Sequence, residues 1–328
     1  MVPSPASILQ ISNIRAGSIS RGNAKAGASL CRFQTDYHDG ARHVRLQKAI
    51  WGAEPMKRIL KIVLAAVVAI CLIAVAGVYA LSEMRLSRTY DVAAADFAVK
   101  TTLSPEEAER RARTLMCGGC HHDAGNVLID EPGVGRIVAP NLTRLVPMYS
   151  DAELVRLIRH GVKKDGTGVF IMPAGNFANI TDDDMAALIT WLRTLKQLPD
   201  AVVGGTQWGP LGRVGLALDK IPFEADLMPA VITPAATRPA DIGEYAFRTD
   251  CSHCHNLDTA KQSEAFLAPA LKPLAQSYSP ADFKTLLRTG KGVGGRDLGV
   301  MTQVSQWDFK YFTDTEIEQI QAYLTHQP

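Results

Sequence analysis

LMCGGCHH, from Leu115 to His122, sets two thiols and two imidazoles within eight residues. What they hold decides how the rest of the chain is read. A second stretch of the same kind, CSHCH, runs from Cys251 to His255, 134 positions further on. The six cysteines are Cys31, Cys71, Cys117, Cys120, Cys251 and Cys254. Four of them form two C-x-x-C pairs, which is too regular for a scattered disulfide framework. Cys31 lies in a head without periodicity and Cys71 in an apolar run, so neither is assigned a role.

The two pairs sit inside a repeat. YSDAELVRLIRHG (149–161) and YSPADFKTLLRTG (278–290) agree at six of thirteen positions without a gap. TDDDMAALITWL (181–192) parallels TDTEIEQIQAYL (313–324), with Trp191 and Tyr323 at the same offset. APNL (139–142) and APAL (268–271) lie between the Cys pair and the first of these segments in each half. Two copies of one domain is the economical reading.

Each copy reads as helical. Ser150 caps a helix, and Glu153 three residues on completes a capping box. Leu154, Leu157 and Ile158 give its buried stripe. In the second copy Ser279 caps, Pro280 opens the helix, and Phe283, Leu286 and Leu287 form the stripe. Gly161 and Gly290 close these helices. Thr181 and Thr313 cap the last helix of each copy. Ser104-Pro105 and Arg238-Pro239 start helices that lead into the Cys pairs. No stretch shows the sustained alternation of a strand, so the expected class is all-α.

Three chemistries compete for the thiols. A thioredoxin-like dithiol needs a βαβ setting, which is absent. A four-cysteine zinc site is formally available, but it leaves the histidine after each pair unexplained. The third reading is C-x-x-C-H, covalent haem c attachment. Two thiols three positions apart lie on one helical turn and can both add to the vinyl groups along one porphyrin edge. The following histidine, His121 or His255, then ligates iron. The neighbours His122 and His253 are read as solvent-exposed.

Iron then needs a sixth ligand. Methionine opposite histidine suits an electron-transfer haem and raises its potential. The loop before the last helix offers Met172 in the first copy and Met301 in the second. His121 to Met172 spans 51 positions and His255 to Met301 spans 46. Met116, Met148, Met185 and His160 are the rivals. Met185 belongs to an apolar stripe, and His160 ends a helix where the other copy has Thr289.

Residues 62–81, IVLAAVVAICLIAVAGVYAL, carry no charge. Twenty helical residues rise about 30 Å, the thickness of a bilayer's hydrocarbon. Lys57, Arg58 and Lys61 precede the run, which points to a retained signal anchor with everything after it on the far side of the membrane. Residues 1–61 carry ten Lys/Arg against three Asp/Glu, leaving 25 against 30 for the rest. The net charge of +2 gives no reason to expect a nucleic-acid partner. The expected divisions are a disordered tail or mis-called start over 1–55, the anchor over 56–81 and a tether over 82–103. The first domain covers 104–198, a Gly/Pro-rich linker 199–237 and the second domain 238–328.

These residues resemble class I cytochrome c domains. In the second copy Gly243 and Phe247 stand where that family's N-terminal helix approaches the C-terminal one; in the first, Glu109 and Arg113 stand there instead. By the resemblance, the backbone carbonyls of Pro140 and Pro269 accept from the ligand imidazoles and fix their orientation. APNLT, YSDAELVRLIRHGVKKDG, Met172-Pro173 and TDDDMAALITWLRTL resemble cytochrome subunits of membrane-bound bacterial dehydrogenases. Those subunits typically carry three haems, whereas this chain has two attachment sites.

The resulting expectation is a chain of two tandem class I cytochrome c domains behind one N-terminal transmembrane helix. Its cofactors are two covalently attached haem c groups. It relays single electrons at the periplasmic face of the cytoplasmic membrane and is an electron carrier rather than an enzyme. Its partners are a dehydrogenase, a quinol-oxidising complex or a terminal oxidase. Two alternatives are a dihaem peroxidase or oxidase with one open iron, and an electron-transfer subunit of a larger dehydrogenase.

Overall fold

The computed structural model describes residues 53–229, 231–262 and 267–326; Cys31 and residues 1–52 of the expected head lie outside them. Helix α1 runs Ala53–Leu86. Its stretch Met56–Leu86 is long and apolar enough to cross a membrane. Val63, Leu64, Ile70 and Leu72 on it are exposed, as suits a helix whose solvent is lipid. The polar end of α1 is tied down. Arg213 donates to Ser82 and Glu83, and Arg85 pairs with Asp219 and Asp226.

The segment after α1 is not a free tether. It lies along the first domain: Tyr90 N–H donates to the Gly166 carbonyl at 2.9 Å and Arg156 to that of Val92 at 3.1 Å. Phe97 and Val99 pack on the first core.

In the first domain α2 (Pro105–Thr114) leads into α3 (Cys117–His121), and α4 (Asp151–His160) and α5 (Asp182–Thr194) follow. The caps are those the sequence predicts. Ser150 and Glu153 form the reciprocal box, and Gly161 ends α4 at φ 67°. The core gathers Ala112, Leu115, Leu154, Ile158, Phe177, Met185, Leu188 and Ile189. α2 packs on α5, and its buried residues are Ala108, Ala112 and Thr114, of which Ala112 joins the core with Met185, Leu188 and Ile189 of α5. Small buried side chains, Ala108 and Ala112, thus lie one position before Glu109 and Arg113.

The strictly all-α expectation is corrected by small sheets. β1 (Asn126–Glu131) and β2 (Gly135–Ala139) form an antiparallel hairpin, and β3 (Gln207–Trp208) adds to β2. Val127, Leu128 and Ile129 are consecutive half-buried residues, and the register shifts between Val127 and Ile129. A bulge of this kind erases the period of two that marks a strand in sequence.

Residues 199–237 differ from an extended linker. They carry β3, α6 (Pro210–Ala217) and the buried anchors Leu216 and Phe223. The segment folds back on the first domain, with Glu224 N–H donating to the Val169 carbonyl and Asp182 N–H to that of Ala235.

The second domain begins with α7 (Gly243–Ala246), which runs into a π-helical turn ending at Cys251. α8 (Pro280–Thr289), α9 (Val300–Trp307) and α10 (Asp314–His326) follow, with a short helix over Leu271–Ser277 and two-residue antiparallel pairings of Lys261–Gln262 with Leu267–Ala268 and of Lys291–Gly292 with Arg296–Asp297. A Cβ on Gly243 would stand 2.5 Å from Tyr323 Cβ and 2.6 Å from the Gln319 carbonyl oxygen. Only glycine lets α7 lie this close to α10.

Candidate functional site

Both C-x-x-C-H segments adopt helical turns. His122 N–H donates to the Gly118 carbonyl at 2.9 Å and His255 N–H to that of Cys251 at 3.0 Å. The paired sulfurs therefore lie on one side of a single turn. All four cysteines are free and half-buried. Burial pushes the Cys117 thiol up to about 12 and raises Cys120, Cys251 and Cys254 as well. Such thiols are poor nucleophiles, the reverse of what a redox dithiol needs. Among the described residues no group of three or more His, Cys, Asp and Glu converges on a metal position, so the four-cysteine zinc reading finds no donor set.

The histidine geometry repeats in the two copies. His121 Nδ1 lies 2.7 Å from the Pro140 carbonyl oxygen, and His255 Nδ1 lies 2.8 Å from that of Pro269. Each carbonyl fixes its ring and leaves Nε2 as the free donor atom. Burial lowers the pKa of both rings, against the pull of the carbonyl, and so favours the neutral imidazole that binds metal.

Met172 and Cys117 pack on the first core, and Met301 and Cys251 on the second. Both methionines are half-buried. Of the rivals, Met185 is fully buried in the first core and Met148 is exposed. Met116, in left-handed conformation at φ 59°, packs on the second core. His160 has a buried Nδ1 without a partner. Burial, then Arg159 and Arg156, lower its pKa, which leaves it the chemically competent competitor to Met172. The donor sets of both copies thus fit a haem: two thiols on one turn, an oriented imidazole, and a thioether on the same core.

The two sites meet across an interface that the sequence reading did not foresee. Asp184 and Glu316 occupy the same place in the repeat, three residues after the N-caps Thr181 and Thr313. Both are buried, and Arg238 bridges them, reaching Asp184 Oδ2 at 3.3 Å and Glu316 Oε1 at 2.7 Å. Arg110 adds 2.7 and 3.0 Å bonds to Glu316, Arg111 a 3.3 Å bond to Asp184, and Tyr245 a 2.8 Å bond to Asp184. Buried charges of this kind must be paired or they cost several kcal/mol.

Each domain also grips the other's attachment turn. Asn176 Nδ2 donates to the Arg248 carbonyl at 2.8 Å and to Ser252 Oγ at 2.9 Å. In return Asp308 Oδ1 and Oδ2 accept from the N–H groups of Gly118 and Gly119, each at 3.0 Å. His122, expected in solvent, is half-buried. It stacks on Trp307 with ring centroids 4.5 Å apart and planes 9° from parallel. His253 is exposed, as expected.

Known proteins resemble the chain in the same two halves. Residues 104–192 match the family described as cytochrome c oxidase, cbb3-type, subunit III, and residues 240–328 match cytochrome c. The chain is 26% identical over 244 residues to the fructose dehydrogenase cytochrome subunit of Gluconobacter japonicus, covering 65% of this chain and 50% of that protein. It is 28% identical over 258 residues to the cytochrome c subunit of alcohol dehydrogenase (quinone) from Gluconacetobacter polyoxogenes, covering 66% and 54%. The same subunit of Komagataeibacter europaeus gives the same figures. The chain therefore spans about half the length of the curated relatives it matches.

Proposed function

We propose that the chain, which carries two cytochrome c domains and is homologous to dehydrogenase cytochrome subunits, relays single electrons through two covalently attached haem c groups. Cys117 and Cys120 hold one through thioethers, with His121 and Met172 as iron ligands. Cys251 and Cys254 hold the other, with His255 and Met301. The observation that carries the reading is the repeated imidazole–carbonyl contact, His121 with Pro140 and His255 with Pro269, at one place in both copies.

The haem supplies a reversible one-electron couple; the chain's residues set its potential, orientation and access. The Pro140 and Pro269 carbonyls hold each imidazole in one tautomer. Met172 and Met301 would each give their haem a thioether ligand, which would raise its potential and close the iron to outside ligands. Helix α1 anchors the domains to the membrane, and the basic residues before its apolar run favour haem domains on the periplasmic side. The electron donor is a catalytic dehydrogenase partner, by analogy with what the relatives' names say of them. A quinol-oxidising complex or terminal oxidase is the other side of the relay.

An optical redox titration of the detergent-solubilised chain tests this. The expected result is two high-potential one-electron steps, with no rapid carbon monoxide binding by the reduced protein. Met172→Ala should open one iron to carbon monoxide and lower one step, whereas His160→Ala should do neither. Rapid binding to the unaltered protein would favour an enzyme with an open iron instead.

A further inference from the structure

We propose that Asp308 is a positioning residue that acts across the domain boundary: from the second domain, its carboxylate holds the Cys117–Cys120 attachment turn and lowers the reduction potential of the haem carried there. The inference rests on the reading of Cys117–His121 as a haem site. Three observations carry it, all independent of the ligand assignments.

First, the carboxylate is aimed at the turn and nothing else explains its burial. Asp308 is 1% exposed, and its two oxygens each accept from one N–H of the turn. α3 has no side-chain cap of its own, since Met116 occupies the N-cap position. The opening turn of a helix leaves N–H groups orphaned, and Asp308 satisfies two of them from the other domain.

Second, the two residues between Cys117 and Cys120 are glycines, and the contact requires that. A Cβ on Gly118 would stand 2.9 Å from Asp308 Oδ1, and one on Gly119 2.8 Å from Oδ2. The other attachment turn has Ser252 and His253 at these places, and Ser252 N–H there donates to the Phe247 backbone carbonyl at 2.8 Å instead. The glycine pair is thus part of a cradle built for one specific group.

Third, Asp308 follows directly on α9, the helix that bears Met301, and its neighbour Trp307 stacks on His122. The end of one helix therefore touches the first attachment turn at two points. A negative charge fixed beside a haem favours the more positive ferric state, which lowers the potential.

The charged and titratable groups facing Asp308 are Arg113 from α2, Lys310 from the turn after α9, Cys117 and Cys120 on the attachment turn, and Asp250 before Cys251. Burial pushes Asp250 well above the ordinary carboxylate range. Burial also pushes Asp308 up to about 7, against the two amide N–H groups, Arg113 and Lys310. The charge is therefore present at pH 8 and largely gone at pH 5.5.

The test is redox titration of the full-length holoprotein carrying Asp308→Asn, with haem content measured on the same samples. At pH 8 one of the two midpoint potentials should rise by about tenfold in its one-electron equilibrium constant, or ~59 mV, and the other should move far less. At pH 5.5 the two proteins should converge, a pattern that a purely structural role would not produce. If Asp308→Asn does not accumulate, Gly119→Ala makes the same test from the opposite side, because its Cβ displaces Oδ2; the same step should rise by a smaller factor. Two intact haems with both potentials unchanged at pH 8 would overturn the role of Asp308. Absence of covalent haem from Cys117 and Cys120 in the unaltered protein is a different failure, that of the haem reading itself.

Discussion

The two domains share a frame and differ where each meets the other. In both, a capped helix ending in a left-handed glycine precedes the methionine loop, and a threonine-capped helix follows. In both, a proline carbonyl orients the histidine. The differences lie at the junctions. The second domain joins its first and last helices through Gly243; the first packs α2 on α5 with Ala112 in the shared core. The first has a long antiparallel pair, β1 with β2, after its histidine, where the second has only the short pairing of Lys261–Gln262 with Leu267–Ala268; the first also has a Gly-Gly turn under Asp308 where the second has Ser252 and His253. What the repeat keeps constant is the geometry around the candidate iron. What it varies is the surface through which one copy can recognise the other.

Substitutions at the junctions should break that comparison, and those within the shared frame should sharpen it. The largest effect is expected at Arg238, whose guanidinium bridges the equivalent acids Asp184 and Glu316. Arg238→Ala leaves two buried carboxylates short of a partner, a loss of about 3–5 kcal/mol. Calorimetry of the solubilised chain should then resolve two unfolding transitions where the unaltered protein has one. A single transition at an unchanged temperature would mean that this cluster does not join the domains.

Acid attacks the same cluster. Burial opposes ionisation of Glu316, yet Arg110 and Arg238 outweigh it and hold its carboxyl below the usual range. Hydrogen bonding from Arg110 takes Glu107 down to about 2. The stability these groups add is present above their unfolded values, near 4.5, and drains away as pH falls toward the folded ones. The two transitions should therefore separate below about pH 4.5 in the unaltered protein and not in Arg238→Ala, where they are already apart.

A smaller effect is expected at Gly243. Gly243→Ala drives a methyl against Tyr323 and the Gln319 carbonyl and should cost about 1–3 kcal/mol. In the Arg238→Ala background, where the two transitions are apart, only the second domain's should fall. Smallest are the caps inside the shared frame. Ser150→Ala and Ser279→Ala should each lower the stability of their own domain by about 1 kcal/mol, measured by urea titration in the Arg238→Ala background, where the domains unfold separately. Unequal costs would show that the repeat is less faithful in energy than in shape.

Much of the frame was legible because it rests on local rules. Ser150-x-x-Glu153, Gly161 and the stripes at Leu154, Leu157 and Ile158 are signals contained within one helix. The Cys-x-x-Cys-His pairs are likewise local. The hairpin escaped because Val127, Leu128 and Ile129 do not alternate, although Pro132-Gly133 marks a turn between its strands. The interface escaped for a different reason. Asp308, Asp184 and Glu316 are acids without periodicity, and burial by another domain leaves no mark on the local pattern. The available clue was the Gly118-Gly119 pair, set against Ser252-His253 at the same place in the second copy. Two adjacent glycines in a helical turn are a cost that only a close approach explains.

The central claim is that both copies carry a covalent haem, and peptide mass mapping of the purified full-length chain tests it most directly. The peptide containing Cys117 and Cys120 and the peptide containing Cys251 and Cys254 should each gain the mass of one haem. Free thiols or a disulfide in either peptide would contradict it.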